Sequence, residues 1–99
     1  MLMSDDAAIA RERIQRLHEA AREAARSGND QRARSHVRRA KRIAQRHRLS
    51  LPDRFDRFTC ADCGAYLLPG RSARVRTQNG HVVISCDCGS HARYPYDDQ

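Results

Sequence analysis

The sequence predicts an α+β fold: an N-terminal antiparallel helical hairpin followed by a C-terminal ribbon of short antiparallel strands. Apolar residues recur at helical spacing as far as residue 49, and two cysteine pairs enclose a β-hairpin signal after Pro52. We assign the hairpin to residues 5–49, a linker to 50–55 and the ribbon to 56–96. A chain of 99 residues with 39% hydrophobic content cannot build a large core, so we expect a metal to stabilise it.

The first helix is predicted by an apolar stripe. Its members follow the i, i+4, i+7 spacing of one helical face, and they are Ala10, Ile14, Leu17, Ala21 and Ala24. The segment SGND then ends the helix, because Gly28 can adopt the left-handed conformation that follows many helices. Asn29 or Asp30 can cap the helix that comes next.

A second stripe predicts the second helix, which Pro52 prevents from continuing far beyond Leu49. The stripe consists of Ala33, Val37, Ala40 and Ala44. Alanine buries little apolar area, so the two helices alone do not offset the conformational entropy of ordering them. We therefore predict that the stripes dock on a partner protein, with the contact made by Ile14, Leu17, Ala21 and Val37.

Positive charge is concentrated in the second helix. The net charge is +7, and residues 31–50 contain eight basic residues and no acid. Because an exposed helix usually mixes both signs, this segment favours an anionic partner and indicates nucleic acid. The candidate nucleic-acid-binding residues here are Arg38, Arg39, Lys41 and Arg42, for which the resemblance described below implies RNA.

The ribbon is predicted from two strand-like segments, SARVRT and HVVISC, joined through Asn79-Gly80, which is a strong type I′ turn signal. The two-residue period places Arg74 and Arg76 on one face. Together with Arg71 and Arg93 they are further candidate nucleic-acid-binding residues. Three tyrosines either stack on unpaired bases or cover the ribbon, and these are Tyr66, Tyr94 and Tyr96.

The four cysteines predict a zinc site. Cys60 and Cys63 have two residues between them and precede Gly64, which is typical of a zinc knuckle. Cys86 and Cys88 have only one residue between them, so either Cys86 or His91 completes the site. A zinc ion held by four cysteines has no open position for water, and the sequence contains no catalytic constellation. A thiol redox switch is a further possibility for these cysteines.

The first residues carry acid where a signal peptide would carry basic charge, and no apolar run is long enough to span a membrane. We therefore expect a cytoplasmic protein without a membrane association. In such a reducing compartment, clustered cysteines bind metal more often than they form disulfides.

In order along the chain, the segments LPDRF, CADC, LLPG, RVR, VVISC and CGSHARYPY resemble the archaeal ribonuclease P protein component 4 family. The family pattern has two residues between the cysteines of both pairs, and this chain departs from it at Cys86 and Cys88. The resemblance implies that one zinc is bound by Cys60, Cys63, Cys88 and, by nearest position, Cys86.

The resemblance also implies a function. It predicts a non-catalytic subunit of the endoribonuclease ribonuclease P, which removes the 5′ leader from precursor tRNA with its RNA subunit as catalyst. The implied partners are the ribonuclease P RNA, precursor tRNA and ribonuclease P protein component 1, the last as heterodimer partner. The alternative from the residues alone is a DNA-binding or transcription-associated zinc ribbon.

Overall fold

The computed structural model describes residues 3–95, with side chains from Asp6 onward. Three helices come first: α1 (Met3–Arg26), α2 (Asp30–Arg46) and α3 (Asp53–Arg57). A three-stranded antiparallel sheet follows, with β1 (Ala73–Gln78), β2 (His81–Cys86) and β3 (His91–Pro95) in that spatial order. The predicted α+β architecture is confirmed. In residues 3–95, no helix is long and apolar enough to cross a membrane.

The turn between α1 and α2 forms as its residues predict. Gly28 has a φ of +82°, and the backbone N–H of Asn29 donates to the carbonyl of Ala24 at 2.8 Å. The Asn29 side chain, rather than that of Asp30, caps α2 by accepting from the N–H of Arg32 at 3.2 Å. These contacts hold the two helices antiparallel, and all four members of the second stripe are buried.

A short helix lies where the sequence predicted a linker at 50–55. Pro52 precedes the first residue of α3, a position that suits its fixed φ, and Phe55 on this helix is completely buried. Tyr66, from the ribbon, is buried beside it in the same core as the helical stripes. The hairpin and the ribbon therefore share one hydrophobic core, and residues 50–55 contribute to it.

This core covers the apolar stripe that was predicted to contact a partner protein. Ile14, Ala21 and Val37 are each at most 1% exposed, and Leu17 packs partly buried against the same cluster. Phe55 and Tyr66 supply the apolar area that the alanine-rich helices lack. These two aromatic contributions have no periodic signal in the sequence, which is why a partner was expected in their place.

The ribbon forms a second, smaller core around β1 and β2. Ala73 pairs with Cys86 and Val75 with Ile84, and the connection has φ values of +47° at Asn79 and +80° at Gly80, as a type I′ turn requires. The strand β3 was not predicted. It pairs antiparallel with β2 along residues 81–85 and brings Tyr94 opposite Val82.

Candidate metal centre and basic surfaces

The four cysteine sulfurs converge at one end of the ribbon. They are Cys60, Cys63, Cys86 and Cys88, and their Sγ atoms all lie within 4.8 Å of one another. Two of the separations are 3.7 Å, for Cys60 to Cys88, and 3.6 Å, for Cys63 to Cys86. A tetrahedral site with Zn–S bonds of about 2.3 Å has sulfur–sulfur edges of about 3.8 Å, so the arrangement fits zinc.

The unequal spacing of the second pair is resolved by a turn. Cys86 is the last residue of β2, and Cys88 lies in the loop that follows. The loop is closed by the N–H of Cys86, which donates to the carbonyl of Ser90 at 2.8 Å, and by the N–H of Gly89, which donates to the carbonyl of Cys86 at 2.9 Å. This tight turn, and not the alternation of a strand, directs both sulfurs to one point.

Backbone N–H groups stabilise the Cys60 sulfur as a thiolate, whereas burial and the hydrogen bonds shared with the other cysteines raise the pKa of Cys86 to about 12. Burial opposes ionisation of Cys60, but the N–H groups of Cys63 and Asp62 donate to its sulfur, and its pKa is lowered to about 6. The N–H of Cys88 approaches the sulfur of Cys86 at 3.5 Å. Ser90 also donates to the carboxylate of Asp62, so a side-chain hydrogen bond joins the two cysteine turns. Such outer contacts orient the ligands of a metal.

His91 lies outside this cluster. It is exposed at the start of β3, and its Nδ1 is 2.8 Å from Oγ of Ser85, its partner in the sheet register. Among the residues that the structure describes, the group that could hold a metal contains the four cysteines and not His91.

Arg34, which was not among the residues singled out from the sequence, approaches the metal centre from α2. It lines a cavity of about 270 Å³ together with Cys63, Cys86 and Cys88. Lys41, seven residues further on the same side of the helix, lines a cavity against the ribbon that includes Cys60 and His91. Zinc bound by four thiolates would carry a net negative charge, for which Arg34 and Lys41 are the cations lining these cavities, while Asp30, Asp87 and Asp56 also line them. The seven-residue spacing of Arg34 and Lys41 is the feature of the sequence that could have identified them.

The candidate RNA-binding residues of α2 are all exposed. These residues are Arg38, Arg39, Lys41 and Arg42. None of them forms an ion pair in the part of the chain that the structure describes, where the two salt bridges, Arg16 with Glu12 and Arg26 with Glu23, both lie in α1. Arg38, Arg39 and Arg42 are therefore exposed cations without an ion pair, while Lys41 lines the cavity against the ribbon together with Asp56.

A second basic surface is the outer face of the sheet. Arg76 and Arg93 are the direct register partners of Val83 on its two sides, and Arg74 is exposed two residues before Arg76 on the same face. Val83 is only 5% exposed although it points outward, and we attribute this to the aliphatic stems of the two flanking arginines. The stems support guanidinium groups that remain in solvent.

The fourth ribbon arginine and the tyrosines have structural contacts. Arg71 places Nη2 3.1 Å from the position that a Cβ on Gly28 would occupy, so its guanidinium covers the turn after α1. The hydroxyl of the buried Tyr66 lies 2.9 Å from Nε2 of His18. Tyr94 packs on the ribbon core and has the guanidinium of Arg57 4.7 Å from its ring centroid. Tyr96 lies outside the described residues.

Comparison with known proteins gives a consistent result. Residues 13–89 match the family model described as the RNAse P Rpr2/Rpp21/SNM1 subunit domain. The chain is 67% identical over 90 residues to ribonuclease P protein component 4 of Halobacterium salinarum, covering 91% of this chain and 97% of that protein. It is 44% identical over 89 residues to the component 4 of Methanosarcina acetivorans, covering 89% and 82% of the two chains.

Solved structures agree with the sequence matches. A chain in the cryo-EM structure of an archaeal ribonuclease P with mature tRNA has a TM-score of 0.84 and 44% identity, covering 89% of this chain and 77% of that one. A structure described as Pfu Rpp21 has a TM-score of 0.61 and 34% identity, covering 88% and 99%. The resemblance inferred from the sequence motifs is confirmed. The chain belongs to the ribonuclease P Rpr2/Rpp21/SNM1 subunit family.

Proposed function

We propose that this chain is an RNA-binding subunit of ribonuclease P, the ribonucleoprotein that removes the 5′ leader from precursor tRNA. The observation that carries the proposal is the family match over residues 13–89, together with the 67% identical relative named ribonuclease P protein component 4. The related chain in an archaeal ribonuclease P solved with mature tRNA supports it. Ribonuclease P RNA and precursor tRNA are the proposed nucleic-acid ligands.

The two basic surfaces are the proposed RNA contacts. On α2 they comprise Arg38, Arg39, Lys41 and Arg42, and on the ribbon Arg74, Arg76 and Arg93, with Arg71 beside the helical turn. The exposure of these side chains and the absence of ion pairs to them among residues 6–95 support this role. Guanidinium groups bind phosphate through paired hydrogen bonds, and neutralised phosphates release counterions, which makes binding favourable.

We assign one zinc ion to the four cysteines, with a structural role. Four thiolate ligands leave zinc no open position at which to activate water, so the chain contributes binding and not catalysis. The reaction is then carried out by the RNA subunit. A zinc site of four reduced cysteines suits the reducing cytoplasm, which is the proposed location.

Ribonuclease P protein component 1 is the proposed heterodimer partner, on the basis of the family resemblance. Because Ile14, Ala21 and Val37 are buried in this chain, the contact must use other residues. Ile9 is the best-placed apolar candidate, since it is 50% exposed on α1 next to the buried Ala10.

Reconstitution tests this function. Ribonuclease P RNA and the other protein subunits are combined with or without the zinc-loaded chain, and 5′-leader removal from precursor tRNA is measured. We expect the chain to raise the cleavage rate of the assembly and to have no activity alone. A variant with Arg74, Arg76 and Arg93 changed to Gln should raise the cleavage rate less than the unchanged chain does. Equal binding to duplex DNA, with no effect on cleavage, would instead identify a DNA-binding zinc ribbon.

A further inference from the structure

A cleft that none of the predicted sites includes lies where α1, α3 and the ribbon meet. It has a volume of about 220 Å³. His18 and Arg22 line it from α1 and Arg54 from α3, while Phe58 and residues 66–69 complete the wall. Three separate parts of the chain therefore form one concave surface.

The polar side of this cleft is positively charged. Arg22 and Arg54 form no ion pair in the described part of the chain. Burial is the main cause that lowers the pKa of His18, and both guanidinium groups lower it further, which places them close to the imidazole. The same two arginines also line a neighbouring cleft that contains Glu19. The 220 Å³ cleft has no acidic residue in its lining, so of these two clefts it is the one that favours an anion.

Much of the remaining lining is apolar. Phe58 and Leu68 are partly buried and Pro69 is exposed, so part of each apolar side chain is available to a ligand. His18 is held in place, because its ring stacks on Phe55 at 4.4 Å between centroids and its Nε2 is 2.9 Å from the hydroxyl of Tyr66. Two cations and an apolar surface within one cleft suit a ligand with both a phosphate and a planar ring.

We propose that this cleft binds one unpaired nucleotide of an RNA strand, with its phosphate between Arg22 and Arg54 and its base against Phe58, Leu68 and Pro69. The inference rests on the proposed RNA-binding function and specifies which part of an RNA this cleft binds. Sites that enclose a whole small molecule have volumes of about 300 to 1,000 Å³, so this smaller cleft suits one residue of a longer strand. Bases within a duplex are stacked and paired, which makes an unpaired position the one that can enter.

Affinity measurements on the zinc-loaded chain test the proposal. Fluorescence anisotropy compares a hairpin RNA with a single bulged nucleotide and a fully paired RNA of equal length. Arg22→Gln and Arg54→Gln should each weaken binding of the bulged RNA by about tenfold, as expected for a hydrogen bond between charged groups. Arg13→Gln, an exposed change of the same charge on the same helix as Arg22, is the matched control. Binding of the paired RNA should change no more than it does in this control.

Crosslinking adds an independent readout of position. With 4-thiouridine as the bulged nucleotide, irradiation should attach it to the peptide that contains Phe58 or to residues 66–69. Equal weakening of binding in the two cleft variants and in Arg13→Gln, or a crosslink elsewhere, would overturn the cleft while leaving RNA binding intact. Failure of the unchanged chain to bind either RNA would overturn the proposed function as well.

Discussion

At the scale of single residues, His18 has the most informative environment. It stacks on Phe55 of α3 and lies within hydrogen-bonding distance of Tyr66. It therefore connects α1 to both α3 and the ribbon. Burial first, and then the charges of Arg22 and Arg54, lower its pKa below the ordinary value of 6.5, while Glu19 opposes them.

This lowered pKa predicts a pH dependence of stability. The unfolded chain takes up a proton at His18 near pH 6.5, before the folded chain does, so the stabilisation is present above this pH and is lost as the pH falls. Chemical denaturation between about pH 7.5 and about pH 5.5 should show a smaller decline for His18→Gln than for the unchanged chain. His36, whose pKa is also lowered by burial, and Cys60, whose pKa is lowered to about 6, remain in the variant and contribute to the residual slope. Parallel declines in the two proteins would contradict the prediction.

The fourth zinc ligand allows a second test at this scale. Cys86→Ala should lose zinc or bind it weakly, because its sulfur lies 3.6 Å from that of Cys63. His91→Ala should retain one zinc per chain, since its imidazole contacts Ser85 instead of the cysteine cluster. Elemental analysis of both purified variants measures this. The reverse pattern would transfer the ligand role to His91.

Gly28 allows a third test. Alanine there must adopt a φ near +82°, and its Cβ would lie 3.1 Å from Nη2 of Arg71. Left-handed backbone alone costs about 1 to 2 kcal/mol for a non-glycine residue, and displacement of Arg71 adds to it. Gly70→Ala is the matched control, because it has a φ of +87° and open space around its Cβ. Denaturant unfolding should show a larger loss of stability for Gly28→Ala, and Arg71→Gln should remove the difference. Equal losses for the two alanine variants would mean that Arg71 moves aside without cost.

At the scale of elements, the sequence predicted what depends on local patterns. The spacing of Ala33, Val37, Ala40 and Ala44 predicted the buried side of α2, and Asn79-Gly80 predicted the turn between β1 and β2. The unpredicted elements, α3 and β3, are each five residues long, too short for a period to be recognised. Their formation depends on Phe55 entering the helical core and on the register of β3 against β2, which are tertiary effects.

The charge pattern of α2 predicts a measurable electrostatic contribution. Changing Arg38, Arg39, Lys41 and Arg42 to Gln should weaken RNA binding and flatten its salt dependence, by about 0.7 to 0.9 in log–log slope for each phosphate that is no longer neutralised. The matched variant changes Arg11, Arg13, Arg16 and Arg26 of α1, which removes the same charge from the other helix. Titrations between about 50 and about 200 mM salt compare the two. An equal slope for both variants would indicate that only total charge matters.

At the scale of the whole molecule, the hairpin and the ribbon depend on each other. The buried helical residues of the shared core are mostly alanine, and they are Ile14, Ala21, Ala24, Ala25, Ala33, Val37, Ala40 and Ala44. Alanine removes little apolar area from water, so these side chains do not offset the entropy of ordering two helices. Phe55 and Tyr66 complete the core, and Tyr66 is only three residues from Cys63 in the knuckle. Stability of the helices should therefore depend on the metal.

Removal of the metal should consequently destabilise the helices as well as the ribbon. The binding free energy of a structural zinc is largely the folding free energy of the module around it, so a chelator should unfold the knuckle that positions Tyr66. Without Tyr66 the helical core loses one of its two buried aromatic side chains, and His18 loses the hydroxyl within hydrogen-bonding distance of its Nε2. Thermal melts followed by the circular dichroism of the helices should show a lower melting temperature after chelation, and added zinc should restore it. Tyr66→Ala with zinc bound should reproduce part of this change. If the helices melt at the same temperature with and without metal, the hairpin folds independently of the ribbon.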